Sequence, residues 1–442
     1  MLSNFVNIQT LYAQDTDRVL PKLQQLYANH ASLLYHLNNL VPGRWLKDHI
    51  TGKKIVLKPN WVKHPRYDDD AYCLCTNPGF ILGVLELVLQ HQPAQVLIGD
   101  APIQGAVWHE VVTPAFTHSV QQLSIRFNIP VVIKDFRRVI YMPGTNRVEA
   151  EHNPITEYVI ADVGKKSYLE PITPINKNPF RVAHYNPDTF KASHRPGVHK
   201  YCIAKALFDA DTVLSLPKVK THQKTGITCA LKNIVGFNGD KDYLPHHRIG
   251  GAGMGGDNYP GKNIFRYWSE LISDMANRNK GKFQYRFWQK LSSLLWRVSF
   301  PGEKHQLNGA WYGNDTTWRM VMDLNTIIRY GKYDGTIAGT PQRVLYSISD
   351  GIIAGQGDGP LLPEPLPLGI IAFSDNAAMN DICMAALMKI NTDKLPLLRA
   401  AAAAMDTGNC TITVNGKKTN WDNMDEYAIS ANMPPGWKNY NV

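Results

Sequence analysis

Five lysines, one histidine and three threonines fall within LSLPKVKTHQKTGITCALKNIVGFNGDK, residues 214–241. These types make a receptor for an anion: lysines supply charge, while hydroxyls and the N–H groups of a turn supply directed donors. Lys218, Lys220 and Lys224 stand around Thr221, Thr225 and Thr228, and a proline and glycines interrupt the run. His222 is the candidate general acid or base. Lys232 follows ten residues later, so a turn leading into a helix brings both toward one cleft, with Asn233 beside it. A buried lysine there also suits a covalent nucleophile or cofactor tether. The order G-x-x-x-x-G-K-[ST] is absent, so this is not a phosphate-binding P-loop. A basic loop with solvent-facing lysines is the plain alternative, but it does not explain why the run follows an apolar strand so closely.

Other polar residues stand where apolar runs stop. Lys58 and Asn60 end KKIVLKPN, Asp100 ends AQVLIGD, Asp350 follows LYSIS and Asp375 follows IIAF. Open α/β sheets bind ligands outside the carboxyl ends of their strands, so these positions point to a shared polar cleft. Asp375, just before a helix, reads individually as an N-cap. Asp315, Arg319 and Asp323 step by four along one helical face, either as a salt-bridge ladder or as oxygen donors for a hard cation. Asp350 and Asp358 flank glycines in DGIIAGQGDGP, and His246 and His247 precede a glycine-rich loop suited to a lid. The divalent-metal candidates are thus Asp315, Asp350, Asp358, His246 and His247. The substrate-binding candidates are Lys58, Asn60, Asp100, Lys218, Lys220, Thr221, Thr225, Asn233 and Arg319.

The elements that must position these residues alternate. KKIVLKPN, NPGFILGVLELVLQHQ and AQVLIGD read as strand, helix and strand, the unit of a parallel sheet. IPVVIKD, TVLSLP, RVLYSISDG and PLGIIAFSDN are further strands, whereas VHKYCIAKALFDA and AAMNDICMAALMKI read as helices. The expected class is α/β, with mainly parallel sheets flanked by helices and two lobes around a central cleft. Residues 1–50 read as a helical segment, and 51–262 as an α/β region with a long excursion over 150–200. Residues 263–305 read as an amphipathic helical insertion, and 306–442 as an α/β region completing the cleft. Within the insertion, Phe283, Phe287, Leu291, Leu294 and Val298 recur at helical spacing between basic residues. That pattern fits a helical cap on the main domain, or a peripheral membrane contact through 282–298.

The 442-residue chain carries a formal charge of +10, which favours anionic partners. Nucleic acid is disfavoured, because no recognised motif appears and aromatics do not interleave the lysine motif. Six scattered cysteines give neither a disulfide framework nor an iron–sulfur ligand run. No signal peptide is evident and no stretch reads as about 18 apolar residues in a row, so the expected location is cytoplasmic.

At VLKPNWV, TNPGFILGVLELV, VLIGDAP, LPKVKTHQKTGITCALKNIVG, SDGIIAGQGDGP and FSDNAAMND, the chain resembles the family catalogued as domain of unknown function 362. Many members of that family carry an added ferredoxin-like segment with cysteine runs, which this sequence lacks. The resemblance implies a fold, not a reaction. The lysine motif is also similar, more weakly, to the lactate racemase family. In that family a lysine holds a nickel pincer nucleotide covalently, and histidines bind metal and move protons. This second resemblance implies a tethered cofactor on Lys232, with His222 and either His246 or His247 near it. The chain departs from that family where it has GDAP after the strand instead of a histidine.

The leading expectation is an enzyme that binds a phosphate- or carboxylate-bearing small molecule in a Lys/His/Asp-lined cleft, with a divalent metal as a candidate cofactor. A racemase- or epimerase-like enzyme with a metal cofactor on Lys232 is the second reading. A non-catalytic binding protein for a nucleotide or lipid-linked phosphate at a membrane surface is the third.

Overall fold

Apolar residues in these strands point alternately to two faces, and both faces are covered. Ile55, Leu57, Leu214, Ile348 and Phe373 belong to one buried cluster, and Val56, Val213, Ile370 and Ala372 to another. Burial on both faces is why the strands read as near-continuous apolar runs. The computed structural model describes residues 4–66, 70–142, 148–175, 178–182, 185–280, 282–299, 308–438 and 440.

One 12-stranded sheet organises the chain. Its strands are β1 (Phe5–Thr10), β2 (Lys54–Pro59), β3 (Gln95–Asp100), β4 (Val131–Asp135), β5 (Thr212–Leu216), β6 (Lys218–His222), β7 (Gly226–Thr228), β8 (Val344–Asp358), β9 (Leu362–Leu366), β10 (Ile370–Ser374), β11 (Thr411–Val414) and β12 (Lys417–Thr419). The order is β12-β11-β1-β10-β8-β5-β2-β3-β4, with β6 and β9 also paired to β8 and β7 to β6. From β8 to β4 along that path every pairing is parallel.

Helices α1 (Leu20–Ala28), α2 (His30–Leu40), α3 (Gly43–Ile50), α4 (Pro78–Leu89) and α5 (Pro114–Phe127) pack on one face. Next come the single turn α6 (Ala230–Asn233), the pair α7 (Ile264–Arg278) and α8 (Gln284–Ser299), then α9 (Thr317–Tyr330), α10 (Ala377–Leu387) and α11 (Pro396–Ala404). Residues of α6, α9, α10 and α11 fill the opposite face. The expected start of α4 is met: Pro78 opens the helix and the Asn77 side chain caps it, accepting from Gly79 N at 2.8 Å.

Several elements depart from the sequence expectation. Residues 1–50 open with a strand, because β1 fits between β10 and β11. VHKYCIAKALFDA is not a helix. Val198–Ala204 is a strand paired with Tyr158–Asp162 in a separate sheet, with Tyr201, Cys202 and Ile203 buried. A short continuous apolar run reads equally as buried strand or buried helix. The regions before and after 263–305 share the sheet directly, since Thr212 in β5 lies opposite Val344 in β8. Ala71–Leu89 does reach the length and apolarity of a bilayer span, contrary to expectation, but it is largely buried and forms part of the core around α4.

β8 also runs past Asp350, the expected strand end, to Asp358. Its pairing with β6 places Lys218 opposite Asp350, then slips so that Lys220 lies opposite Gly355. Lys218 is therefore held in the core, 3.0 Å from Asp350 and 2.9 Å from the Tyr27 hydroxyl. That hydroxyl donates to Asp350 at 2.6 Å, and Asn77 N donates to the same carboxylate at 3.1 Å. Both charged side chains are fully buried. Removing one partner strands the other charge in the core. Lys218→Met should therefore cost about 3–5 kcal/mol in denaturant unfolding, and Lys218→Met with Asp350→Leu should cost much less.

Candidate functional site

β2 and β3 end side by side, and their last polar residues form a buried pair. Lys58 Nζ lies 2.7 Å from Asp100 Oδ1 and donates to Pro59 O at 2.7 Å. Asp100 also accepts from the backbone N–H groups of Trp61 (2.6 Å) and Ala101 (2.8 Å). Burial pushes the Lys58 amine down and the Asp100 carboxyl up, and their mutual attraction opposes both shifts. Gly236 packs against this pair: a Cβ there would stand 1.7 Å from Asp100 Oδ1 and 2.7 Å from Lys58 Nζ.

A cavity of about 660 Å³ opens at these strand ends, lined among others by Asn60, Asp100, Lys220, His222, Lys232 and His246. Most of the lysine motif reaches it through a hairpin, not through a turn at a helix start as expected. His222 in β6 pairs with Gly226 in β7, whose φ of 78° closes the loop through Gln223, Lys224 and Thr225. α6 follows and carries Lys232 and Asn233.

Lys220, Lys224 and Lys232 line the cavity with no carboxylate in ion-pair range among the described residues. Lys220 donates to Leu74 O and Lys224 to Asn308 O, while Lys232 Nζ has no hydrogen-bond partner among the described residues. Burial and the neighbouring cations Lys220 and Lys58 push the Lys232 amine down to about 8. Lys220 falls to about 8, chiefly through burial, with Lys218 adding to it. Burial brings Lys224 to about 7, with Lys232 adding to the fall and Asp257 opposing it.

The two cavity histidines present opposite hydrogen-bonding faces. His222 Nδ1 accepts from Lys224 N (3.0 Å) and Thr225 N (3.3 Å), so the neutral ring carries its proton on Nε2 and acts as a donor. His246 Nδ1 lies 2.8 Å from Leu244 O, an acceptor, so that nitrogen carries the proton and Nε2 keeps a lone pair. Burial, then the charges of Lys232, Lys224 and Lys220, holds His222 well below the usual histidine range. Burial with Lys224 and Lys232 takes His246 to about 3. Two amide oxygens, Asn60 Oδ1 and Asn233 Oδ1, are buried without a partner. The Asn233 amide is oriented by its own donors, which reach Lys58 O and Ser215 Oγ at 2.9 Å each.

Of the expected substrate-binding residues, Asn60, Asp100, Lys220 and Asn233 line the cavity, and Lys58 supports it through Asp100. Lys218 is spent on Asp350. Thr221 donates to Gly357 O and Thr225 to Ile227 O, both at 2.9 Å, so these hydroxyls tie backbone together. Arg319 bonds Asp315 and Tyr168 O on α9, away from this cavity. The five metal candidates do not converge. Asp315 faces Arg248 and Arg319, Asp350 faces Lys218, Asp358 accepts from Gln223, and His247 lies outside the cavity lining. Among the described residues, no group of three or more His, Cys, Asp or Glu side chains is placed to hold a metal ion. Asp375 is not the expected helix cap. Asn376 caps α10, and Asp375 accepts from Phe5 N at 2.8 Å.

Lys63, Lys241 and Tyr141 also line the cavity and were not singled out by sequence. Lys63 lies just beyond the β2 end in NWVKHP, a position the strand-end rule would have reached. Lys241 and Tyr141 carry no such signal.

The protein is an α/β protein with a cationic cavity at the carboxyl ends of adjoining parallel strands. Residues 172–386 match the profile of the family described as Domain of unknown function (DUF362), and the chain belongs to that family. The matched stretch contains the lysine motif and His246, while Lys58, Asn60 and Asp100 precede it. No curated protein matches the chain. Similarity to lactate racemases finds no support in these comparisons.

Because a Cβ at position 236 has no room beside the buried pair, Gly236→Ala should destabilise the fold by about 1–3 kcal/mol or more, read by denaturant unfolding. A surface Gly→Ala at position 43, where a Cβ meets nothing within 4 Å, is the control and should leave the midpoint nearly unchanged.

Proposed function

We propose that the chain is an enzyme acting on a small molecule that bears phosphate or carboxylate charge. One observation carries this reading: Lys220, Lys224 and Lys232 surround one cavity with no carboxylate to neutralise them among the described residues. Unpaired buried cations are costly unless a ligand supplies the counter-charge. His222 then donates from Nε2 to an oxygen of the ligand, as a neutral electrophile. His246 accepts a proton at Nε2. This divides the acid–base work differently from the expectation that gave it to His222 alone. With an anion bound, the lysines no longer depress His246 and it becomes a stronger base. Asn60 Oδ1 and Asn233 Oδ1 supply acceptors for a hydroxyl or amine on the same molecule.

The tethered-cofactor reading draws on a different observation. Lys232 Nζ is unpartnered among the described residues and is pushed to about 8, as a lysine nucleophile requires. Intact-mass measurement of natively purified protein, beside Lys232→Ala, tests it: a mass excess lost in the variant supports it, and an unmodified mass rejects it.

The lysine pKa values set the pH dependence of binding. Anions bind the protonated amines, whose values without ligand lie at about 7 to 8. Binding is therefore strongest below about pH 7 and is lost as pH rises through about 8. A thermal-shift screen of phosphorylated and carboxylated metabolites should find stabilisers near pH 6 that fail near pH 9. A good ligand at a hundredfold excess over Kd adds about 2.7 kcal/mol. Lys220→Met and Lys232→Met should abolish that gain. Anion stabilisation that persists in both variants would overturn the assignment of the cavity.

With a substrate in hand, His246→Gln should lower kcat by about 10²–10⁴-fold while leaving ligand affinity close to that of the parent protein. Steady-state kinetics and calorimetry on the same preparations separate the two effects.

A further inference from the structure

We propose that the α7–α8 hairpin docks on a bilayer that carries anionic lipid. The hairpin is self-contained. Ser269 Oγ donates to Ser292 O and Ser292 Oγ to Ser269 O, each at 2.9 Å, and Asn263 Nδ2 donates to Ser299 O at 3.1 Å. α8 has no buried residue along its length, so it is not a cap with one face sunk into the main core.

The outward face of the hairpin is apolar. Phe287, Leu294 and Val298 on α8 are 58–66% exposed, and Phe283 just before the helix is 97% exposed. Trp268 and Ile264 on α7 add about half of their surfaces. At about 100° per residue, Phe287, Leu294 and Val298 form one row along α8. Arg286, Lys290 and Arg297, all exposed, form a second row roughly a quarter-turn away, beside the first. No Asp or Glu occurs between residues 275 and 302, whereas six Lys or Arg do.

An apolar row flanked by cations of one sign is what an in-plane interfacial helix presents. Its apolar side enters the headgroup–acyl boundary while its cations meet anionic headgroups. Tryptophan favours the same boundary. A second copy of the chain fits less well. An isologous dimer sets each patch against itself, which brings two sets of these cations together without a counter-charge. The hairpin also connects to the cavity wall: Glu149 bonds both Lys280, just after α7, at 3.1 Å and the cavity-lining Lys241.

The test is co-sedimentation of the full chain with vesicles of phosphatidylcholine alone and of phosphatidylcholine mixed with phosphatidylserine. Binding should appear with the anionic vesicles and weaken as salt rises. Two triple variants, Phe287→Ser/Leu294→Ser/Val298→Ser and Arg286→Gln/Lys290→Gln/Arg297→Gln, should each weaken it by more than about tenfold. Their unfolding temperatures should match the parent, because the substituted side chains face solvent. Failure to bind anionic vesicles overturns the proposal, as does equal binding by parent and variants, which would assign it to the overall charge. A concentration-dependent dimer that the apolar variant abolishes, without vesicle binding, overturns it in favour of self-association.

Discussion

The cavity depends on the ion pair between Lys58 and Asp100. It occupies the ends of two neighbouring parallel strands and is closed to solvent, so both charges are committed to each other. That commitment fixes several neighbours at once. The Asp100 carboxylate gathers the N–H groups of Trp61 and Ala101, the Lys58 carbonyl accepts from Asn233, and Gly236 lies against the pair where no side chain fits. It also decides the sign of the site. With Asp100 held by Lys58, no nearby carboxylate is free to quench Lys220, Lys224 and Lys232.

Strand ends were legible in the sequence because apolar runs stop where backbone leaves the sheet, and side chains there necessarily face its carboxyl edge. Asn60, Asp100, His222 and Lys232 were found that way. Direction within the motif was not legible. Lys218 and Lys220 are two residues apart and would share a face in a regular strand. The slipped pairing of β6 with β8 sends the first into the core and leaves the second at the cavity. No composition signal marks that slip. The histidine roles were equally hidden, because their partners are backbone groups of Lys224, Thr225 and Leu244. Acidic residues misled for a related reason: Asp315 and Asp350 look like metal donors until their cationic partners arrive from distant parts of the chain.

Titration far from ordinary values is not confined to the cavity, and one outlying case helps to build it. Burial raises Asp381 to about 7, against hydrogen bonds that favour its charged form. It accepts from Ala230 N at 2.8 Å and Leu231 N at 3.1 Å, the first two residues of α6. A carboxylate on α10 thus anchors the short turn that carries Lys232. A single helical turn is unstable alone, so the aim of this lysine is borrowed from the long helix beneath it.

The first strand of the sheet pairs with the last ones: β1, at residues 5–10, lies between β10 at 370–374 and β11 at 411–414. During synthesis at about 5–20 residues per second, those partners emerge from the ribosome roughly 20–80 s after β1 does. Through that interval the half-formed sheet shows an unpaired strand edge and an uncovered apolar face, both prone to aggregation. Folding of this chain is therefore paced by translation, and ribosome-associated chaperones that shield early segments would bear directly on its yield.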